Sequence, residues 1–351
     1  MAVESTIRLL ERLETNGTLS GPEFARLLAD HQNQDLAHCL AGKAAAVRQR
    51  YFGSDIYLRG LIEFTNYCQN DCLYCGIRRS NTASQRYRLT LEQILACCAT
   101  GHELGFRTFV LQGGEDPFFT DDKLVEIVEA IKSRHPDTAI TLSVGEKSPA
   151  AYRRLFAAGA DRYLLRHETA NEAHYAALHP AAMSFTNRQN CLWELKKIGF
   201  QVGAGFMVGS PGQTCEHLAE DFLFLKKLSP HMIGIGPFIP HPQTPLGQYP
   251  PGRAELTIFC LGLARLMLPK ALLPATTALG TLAANGREKG LAFGANVLMP
   301  NLSPVDVRQK YDIYTGKIHL NEEAAEAVNQ LKTRLAALGF TTPSVRGDYP
   351  V

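Results

Sequence analysis

The stretch CQNDCLYCG, Cys68 to Gly76, follows three residues after the apolar run Tyr57–Phe64. Three of the chain's nine cysteines fall within eight residues, spaced C-x3-C-x2-C. Positions i, i+4 and i+7 share a helix face, so packing in a core is one reading. Asn66, Asn70, Asp71 and Gly76 are poor helix formers, however, and a loop following a strand is the expectation. Structural zinc takes four ligands, commonly as paired C-x-x-C knuckles. No Cys or His lies within twenty residues on either side to complete that set. A disulfide would use two thiols and does not suit a reducing compartment. An iron–sulfur cluster remains, since each thiolate binds one iron corner of a cube. Three thiolates leave a fourth iron open to a reactant.

Outward from this loop, short apolar runs alternate with amphipathic stretches. The candidate strands are Tyr57–Phe64, Thr108–Gln112, Ala139–Val144, Arg162–His167, Gln201–Val208, Met232–Phe238, Leu272–Thr277 and Ala295–Met299. Helical patterns lie between them, among them Leu91–Leu104 after a Thr90 cap, Asp122–Ser133, Asn187–Ile198 and Thr214–Leu228. Eight strands, each followed by a helix-length segment at roughly 25–40 residue spacing, predict parallel βα units. Closed as a ring they make an α/β fold, the (β/α)8 TIM-type barrel. An open doubly wound sheet would carry an early Gly-x-Gly-x-x-Gly turn, which is absent. Residues 1–50 read as an N-terminal helical extension, 51–320 as the barrel, and 321–351 as a C-terminal helix and tail.

Composition sets the outer limits. Apolar residues make up 45% of the 351, enough for a sizeable core. The charges, 36 Lys+Arg against 34 Asp+Glu, leave +2. That balance argues for neither nucleic acid nor an anionic membrane as partner. No run of about 20 apolar residues exists for a bilayer span. MAVESTIRLLERLETNG lacks the apolar core of a signal peptide, so a cytoplasmic monomer is expected. The other cysteines (Cys39, Cys97, Cys98, Cys191, Cys215 and Cys260) read as small buried hydrophobes.

A C-x3-C-x2-C loop with Tyr74 before its last cysteine, at the end of the first barrel strand, resembles the radical S-adenosylmethionine superfamily. QGGEDP (Gln112 to Pro117) resembles that superfamily's Gly-Gly-Glu segment, and GFMVGSPGQT (Gly205 to Thr214) its glycine-rich fifth-strand region. RYLLRHETAN (Arg162 to Asn171), GIGPFIPHPQTPL (Gly234 to Leu246), PATTALGT (Pro274 to Thr281) and GANVLMPNLSP (Gly294 to Pro304) resemble the HydE family of FeFe-hydrogenase maturases. With RQKYDIYTGKI (Arg308 to Ile318), the likeness covers roughly residues 50–320. Biotin synthase and methylornithine synthase share the wider architecture.

The resemblance implies one 4Fe-4S cluster on Cys68, Cys72 and Cys75, with S-adenosylmethionine chelated at the open iron and split to a 5′-deoxyadenosyl radical. It implies cofactor contacts from Tyr74, Gly113, Gly114, Glu115, Arg166, Glu168, Arg188 and Met207. Arg188 would take the cofactor carboxylate, which suits a guanidinium fork. The competing reading of Arg166 and Glu168 is an interstrand ion pair. Substrate contacts are implied for Thr141, Ser143, Thr276, Thr277, Met232, Met299, Tyr311 and Tyr314. Barrel hydroxyls also bond backbone carbonyls, and Met and Tyr are common core residues. The implied substrate is a small Fe(CO)2(CN)–cysteine complex on the way to the diiron subcluster, with other maturases and an electron donor as partners. Two departures stand out: Gly113 replaces a Ser of relatives, and His319 is followed by no cysteines that could hold a second cluster. The rivals are an amino-acid mutase or sulfur-insertion enzyme, and an iron–sulfur scaffold.

Overall fold

In the computed structural model, which describes residues 5–317 and 324–350, parallel strands close into a ring. The strands are β1 (Tyr57–Leu58), β2 (Gly60–Thr65), β3 (Thr108–Gly113), β4 (Ala139–Ser143), β5 (Arg162–Leu164), β6 (Gln201–Ala204), β7 (Met207–Val208), β8 (Met232–Ile233), β9 (Gly236–Pro237) and β10 (Val297–Leu298). The longest sheet runs β2-β3-β4-β5-β6-β8. Bridges Met232–Leu272, Pro274–Val297 and Leu61–Asn301, together with the β1–β10 pair, join β8 back to β2. Every one of those pairings is parallel, as the βα alternation predicts.

The expected strand Leu272–Thr277 is a correction. It survives only as two isolated bridges, and Thr277 already begins the helix Thr277–Leu282. Pro274 lacks the N–H that a ladder needs, and Thr276 caps the helix by accepting from Leu279 N.

The outer helices begin where their caps place them. Thr90 forms a capping box with Gln93 at the start of Leu91–Glu103. Thr120 opens Asp121–Arg134, Ser184 opens Phe185–Ile198 and Thr214 opens Cys215–Leu228. Before the barrel lie Thr6–Asn16, Gly21–Ala29 and Gln34–Phe52, which pack on the barrel helices Cys215–Leu228 and Ala254–Met267. Phe24 stacks on Phe222 there at 5.1 Å.

The tail crosses the N-terminal end of the ring. Gly347 O accepts from Arg59 at 3.3 Å, and Arg346 O and Asp348 both accept from Arg162. Tyr349 sits edge-on against His231. The barrel-to-tail boundary at 320/321 and His319 lie outside the described residues. Among the lone cysteines, Cys97, Cys98, Cys191 and Cys260 are buried as expected, whereas Cys39 and Cys215 are only half-buried. No helix among the described residues is long and apolar enough to cross a membrane.

Candidate active site

The segment from Tyr67 to Gly76 forms no helix and no strand. It is a loop at the C-terminal end of β2, the end where barrel active sites sit. Backbone hydrogen bonds hold it from several sides. Gln69 N donates to Glu115 O at 2.8 Å, Leu73 N to Leu178 O at 3.0 Å and Gly76 N to Ile313 O at 3.0 Å. Arg86 gathers four carbonyls, of Asn66, Ile77, Arg78 and Asn81, and so shapes the loop's return. A Cβ on Gly114 would stand 2.2 Å from Tyr67 O and 2.7 Å from Cys68 Cβ, so only glycine lets the β3 turn approach the first cysteine.

The three thiols are reduced and half-buried. Burial pushes all of them up, Cys75 to about 12, and at Cys72 the other two thiols add to the effect. Bare thiolates are unfavourable in such a pocket, and a cationic iron centre is what would stabilise them. No group of His, Cys, Asp or Glu among the described residues is arranged around a single metal ion. A cube held through separate corners spreads its thiolates more widely than one ion's ligand shell.

Facing the loop are residues from the ends of β4 and β5 and from the helix Phe185–Ile198. Arg166 Nη2 stands 2.9 Å from Glu168 Oε2, an ion pair without hydrogen-bond alignment. Arg188 Nε lies 2.7 Å from Glu146 Oε1 and its Nη2 3.9 Å from Glu115 Oε1. Burial opposes the charge on Arg188, yet Glu146 above all, with Tyr175 and Glu115, holds its pKa above the usual value. Nε and Nη2 of Arg166 and Nε of Arg188 are buried and have no hydrogen-bond partner among the described residues. Arg166 Nε is open to an anionic ligand, whereas Arg166 Nη2 and Arg188 Nε already stand against Glu168 and Glu146.

Tyr74 and Leu73 pack against an apolar cluster of Leu178, Met207, Phe238 and Leu246. His179 donates from Nδ1 to Tyr175 O at 2.9 Å, which leaves Nε2 to accept from the Tyr74 hydroxyl at 3.2 Å. Burial lowers His179 to about 4, so the ring stays neutral and keeps that tautomer.

The sequence profile of the Radical SAM superfamily matches residues 62–225. The FeFe hydrogenase maturase subunit HydE of Thermotoga maritima is 46% identical over 84% of each chain. The chain belongs to the HydE family of radical SAM enzymes. A 3-methylornithine synthase of Methanosarcina acetivorans is 29% identical over 89% of each chain. The crystal structure of methylornithine synthase PylB superposes with a TM-score of 0.83 at 26% identity, covering 95% of this chain and 97% of that one. Radical SAM enzymes work with a 4Fe-4S cluster and S-adenosylmethionine. The cysteine loop and the buried guanidinium groups of Arg166 and Arg188 fit those two groups.

The expected substrate residues do not gather in one place. Thr276 and Arg166 both lie beside Gly236, near the mouth. Thr141 and Met232 line a small cavity low in the barrel with Arg59 and Arg162. Thr277 and Met299 line a cleft with Lys317 that the helix Ala324–Ala337 flanks. Ser143 ends β4 half-buried. Tyr311 is buried under Lys317, whose ammonium stands 4.9 Å from the ring. Burial pushes the half-buried Tyr314 hydroxyl well up. Gly113 is more than a missing hydroxyl, because a Cβ there would stand 2.7 Å from the Thr65 methyl. Sequence reasoning missed Glu146, His179 and Met183, whose sulfur lies 3.7 Å from Cys72 Sγ. Glu146 follows β4, and the rule that barrel sites lie after strand ends could have flagged it. His179 and Met183 carry no comparable signal.

Proposed function

We propose that this protein is a hydrogenase maturase, acting with one 4Fe-4S cluster and S-adenosylmethionine on a small Fe(CO)2(CN)–cysteine complex in assembly of the diiron subcluster. The reading is carried by the 46% identity to a HydE subunit, against 29% to a methylornithine synthase. When bound, the cluster supplies the electron that cleaves the sulfonium. Cys68, Cys72 and Cys75 hold it, and Arg188 takes the cofactor carboxylate. Arg166 and Glu168 face the adenosine side, with Tyr74 and Met207 as an apolar wall that excludes water. An iron–sulfur scaffold would have no use for that second set of residues. Other maturases and an electron donor are the transient partners, and the cytoplasm, where thiols stay reduced, is the place of action.

Arg188→Lys keeps the charge beside Glu146 and loses the fork. Affinity for S-adenosylmethionine should fall by about 1–3 kcal/mol, the range for a charge-assisted bond. Equilibrium binding on reconstituted protein measures it, with iron content as control. Unaltered affinity would return Arg188 to a structural role.

The substrate is tested at Thr141. The residue is 1% exposed and its hydroxyl has no partner among the described residues. Thr141→Val removes an unsatisfied buried hydroxyl, so the free protein should keep or gain stability. Cleavage of S-adenosylmethionine without substrate should persist. Maturation of apo-hydrogenase, reconstituted with the partner maturases, should drop. Thr276 is a poorer probe, because Val there also deletes a helix cap at a cost of about 0.5–2 kcal/mol. If wild-type protein fails in the maturation assay but rearranges an amino acid, the mutase reading replaces this one.

A further inference from the structure

Two non-glycine residues among those described have positive φ, Glu168 at 66° and Ser229 at 47°. Ser229 ends a helix, where left-handed backbone is common. Glu168 ends no helix. Thr169 N donates to His167 O at 2.8 Å, so Glu168 is the centre of a three-residue turn. With positive φ at its centre, that turn is of the rare, strained kind. Such strain persists only where the surroundings over-determine it.

Strand pairing supplies part of the support: Glu168 N donates to Gly205 O at 3.1 Å, and Met207 N to Glu168 O at 3.0 Å. The rest comes from the helix Cys215–Leu228. Asp221 Oδ1 accepts from Ala170 N at 2.6 Å and stands 3.2 Å from His167 Nε2. His167 precedes Glu168 by one residue and Ala170 follows it by two, so a single oxygen joins both sides of the turn. Both side chains are fully buried, the imidazole against Phe224 and Phe206 at 4.7 and 6.0 Å. Burial, with Arg166 and Arg188 nearby, lowers His167 to about 3. The neutral ring has one N–H, and Asp221 is the acceptor within its reach. Burial also raises Asp221, but Oδ1 accepts from both donors whichever charge Oδ2 bears. Asp is almost never fully buried without such partners.

We propose that Asp221 is a positioning residue, whose Oδ1 clasps the two sides of the strained turn and so sets how Glu168 meets its ligand. This rests on the reading that the Glu168 side chain grips S-adenosylmethionine.

A double-mutant cycle on reconstituted holoenzyme tests it, read as the S-adenosylmethionine dissociation constant with iron content alongside. Asp221→Leu should weaken binding about tenfold or more with iron unchanged. Asp221→Asn, whose amide oxygen can accept the same two N–H groups, should stay within about threefold. In a Glu168→Ala background, Asp221→Leu should add no more than about twofold, because the turn then presents nothing to hold. Additive losses, or wild-type affinity in Asp221→Leu, overturn the clasp. If Asp221→Leu does not assemble a cluster, His167→Phe keeps the ring packing and drops one arm. It should weaken binding roughly three- to tenfold, an effect that vanishes beside Glu168→Ala, and no effect or full additivity overturns the proposal equally. Unchanged binding in Glu168→Ala alone would instead overturn the cofactor reading of Glu168.

Discussion

Replacement of Cys68, Cys72 and Cys75 together by alanine is expected to remove all bound iron and its brown absorbance, and with them every turnover of S-adenosylmethionine. The fold should survive. The loop is held by backbone hydrogen bonds and by Arg86, none of which involves a thiol side chain. Removing three half-buried thiols whose ionised forms are disfavoured takes little from the free protein. Reconstituted wild-type protein should carry roughly four irons per chain, and the variant none. Full iron in the variant would sink the cluster assignment, and a value near eight in wild type would reveal a second site. Circular dichroism on both proteins separates loss of metal from loss of fold.

The largest loss of stability is expected at Glu63. This carboxylate on β2 is 1% exposed and receives Lys317 Nζ at 2.5 and 2.7 Å, with Lys317 itself 7% exposed. Asn301 Nδ2 donates to it at 2.8 Å, and the Ser303 hydroxyl accepts from Glu63 N at 2.8 Å. Glu63 therefore pins the first barrel strand to the segment after β10, at the seam where the ring closes. Removing one partner of a buried pair leaves the other charge stranded, which costs about 3–5 kcal/mol. For a chain of this length Glu63→Ala or Lys317→Ala should lower Tm by about 5 °C. Glu63→Met with Lys317→Met should recover most of that loss, because two apolar chains strand no charge. Equal Tm for wild type and Lys317→Ala would mean that the seam does not depend on the pair.

Much of this was legible in the chain itself. C-x3-C-x2-C is a local pattern on a loop of poor helix formers, and its chemistry needs no distant residue to be recognised. The barrel followed from alternation, since apolar runs of strand length between capped amphipathic helices have few ways to bury both surfaces. Thr90 marks a helix start because an N-cap bonds to its own chain two or three residues on. The misplaced strand at Leu272–Thr277 has the opposite origin. Its apolar content suited a strand, but Pro274 and the capping role of Thr276 act on the backbone, which hydropathy does not record.

The amino-acid sequence by itself determined the three-thiol loop and the parallel βα order, because both are written in spacing along the chain, and its motifs carried the resemblance to a radical enzyme family. Only the tertiary structure decided which carboxylate meets Arg188, which histidine fixes Tyr74, that Glu63 closes the ring onto Lys317, and that Asp221 spans the turn at Glu168. Glu63 and Lys317 lie 254 residues apart, and Asp221 lies 54 from His167. Pairing over such distances is set by strand register and helix packing, and a charge that must be buried reveals its partner only when the chain has closed around both.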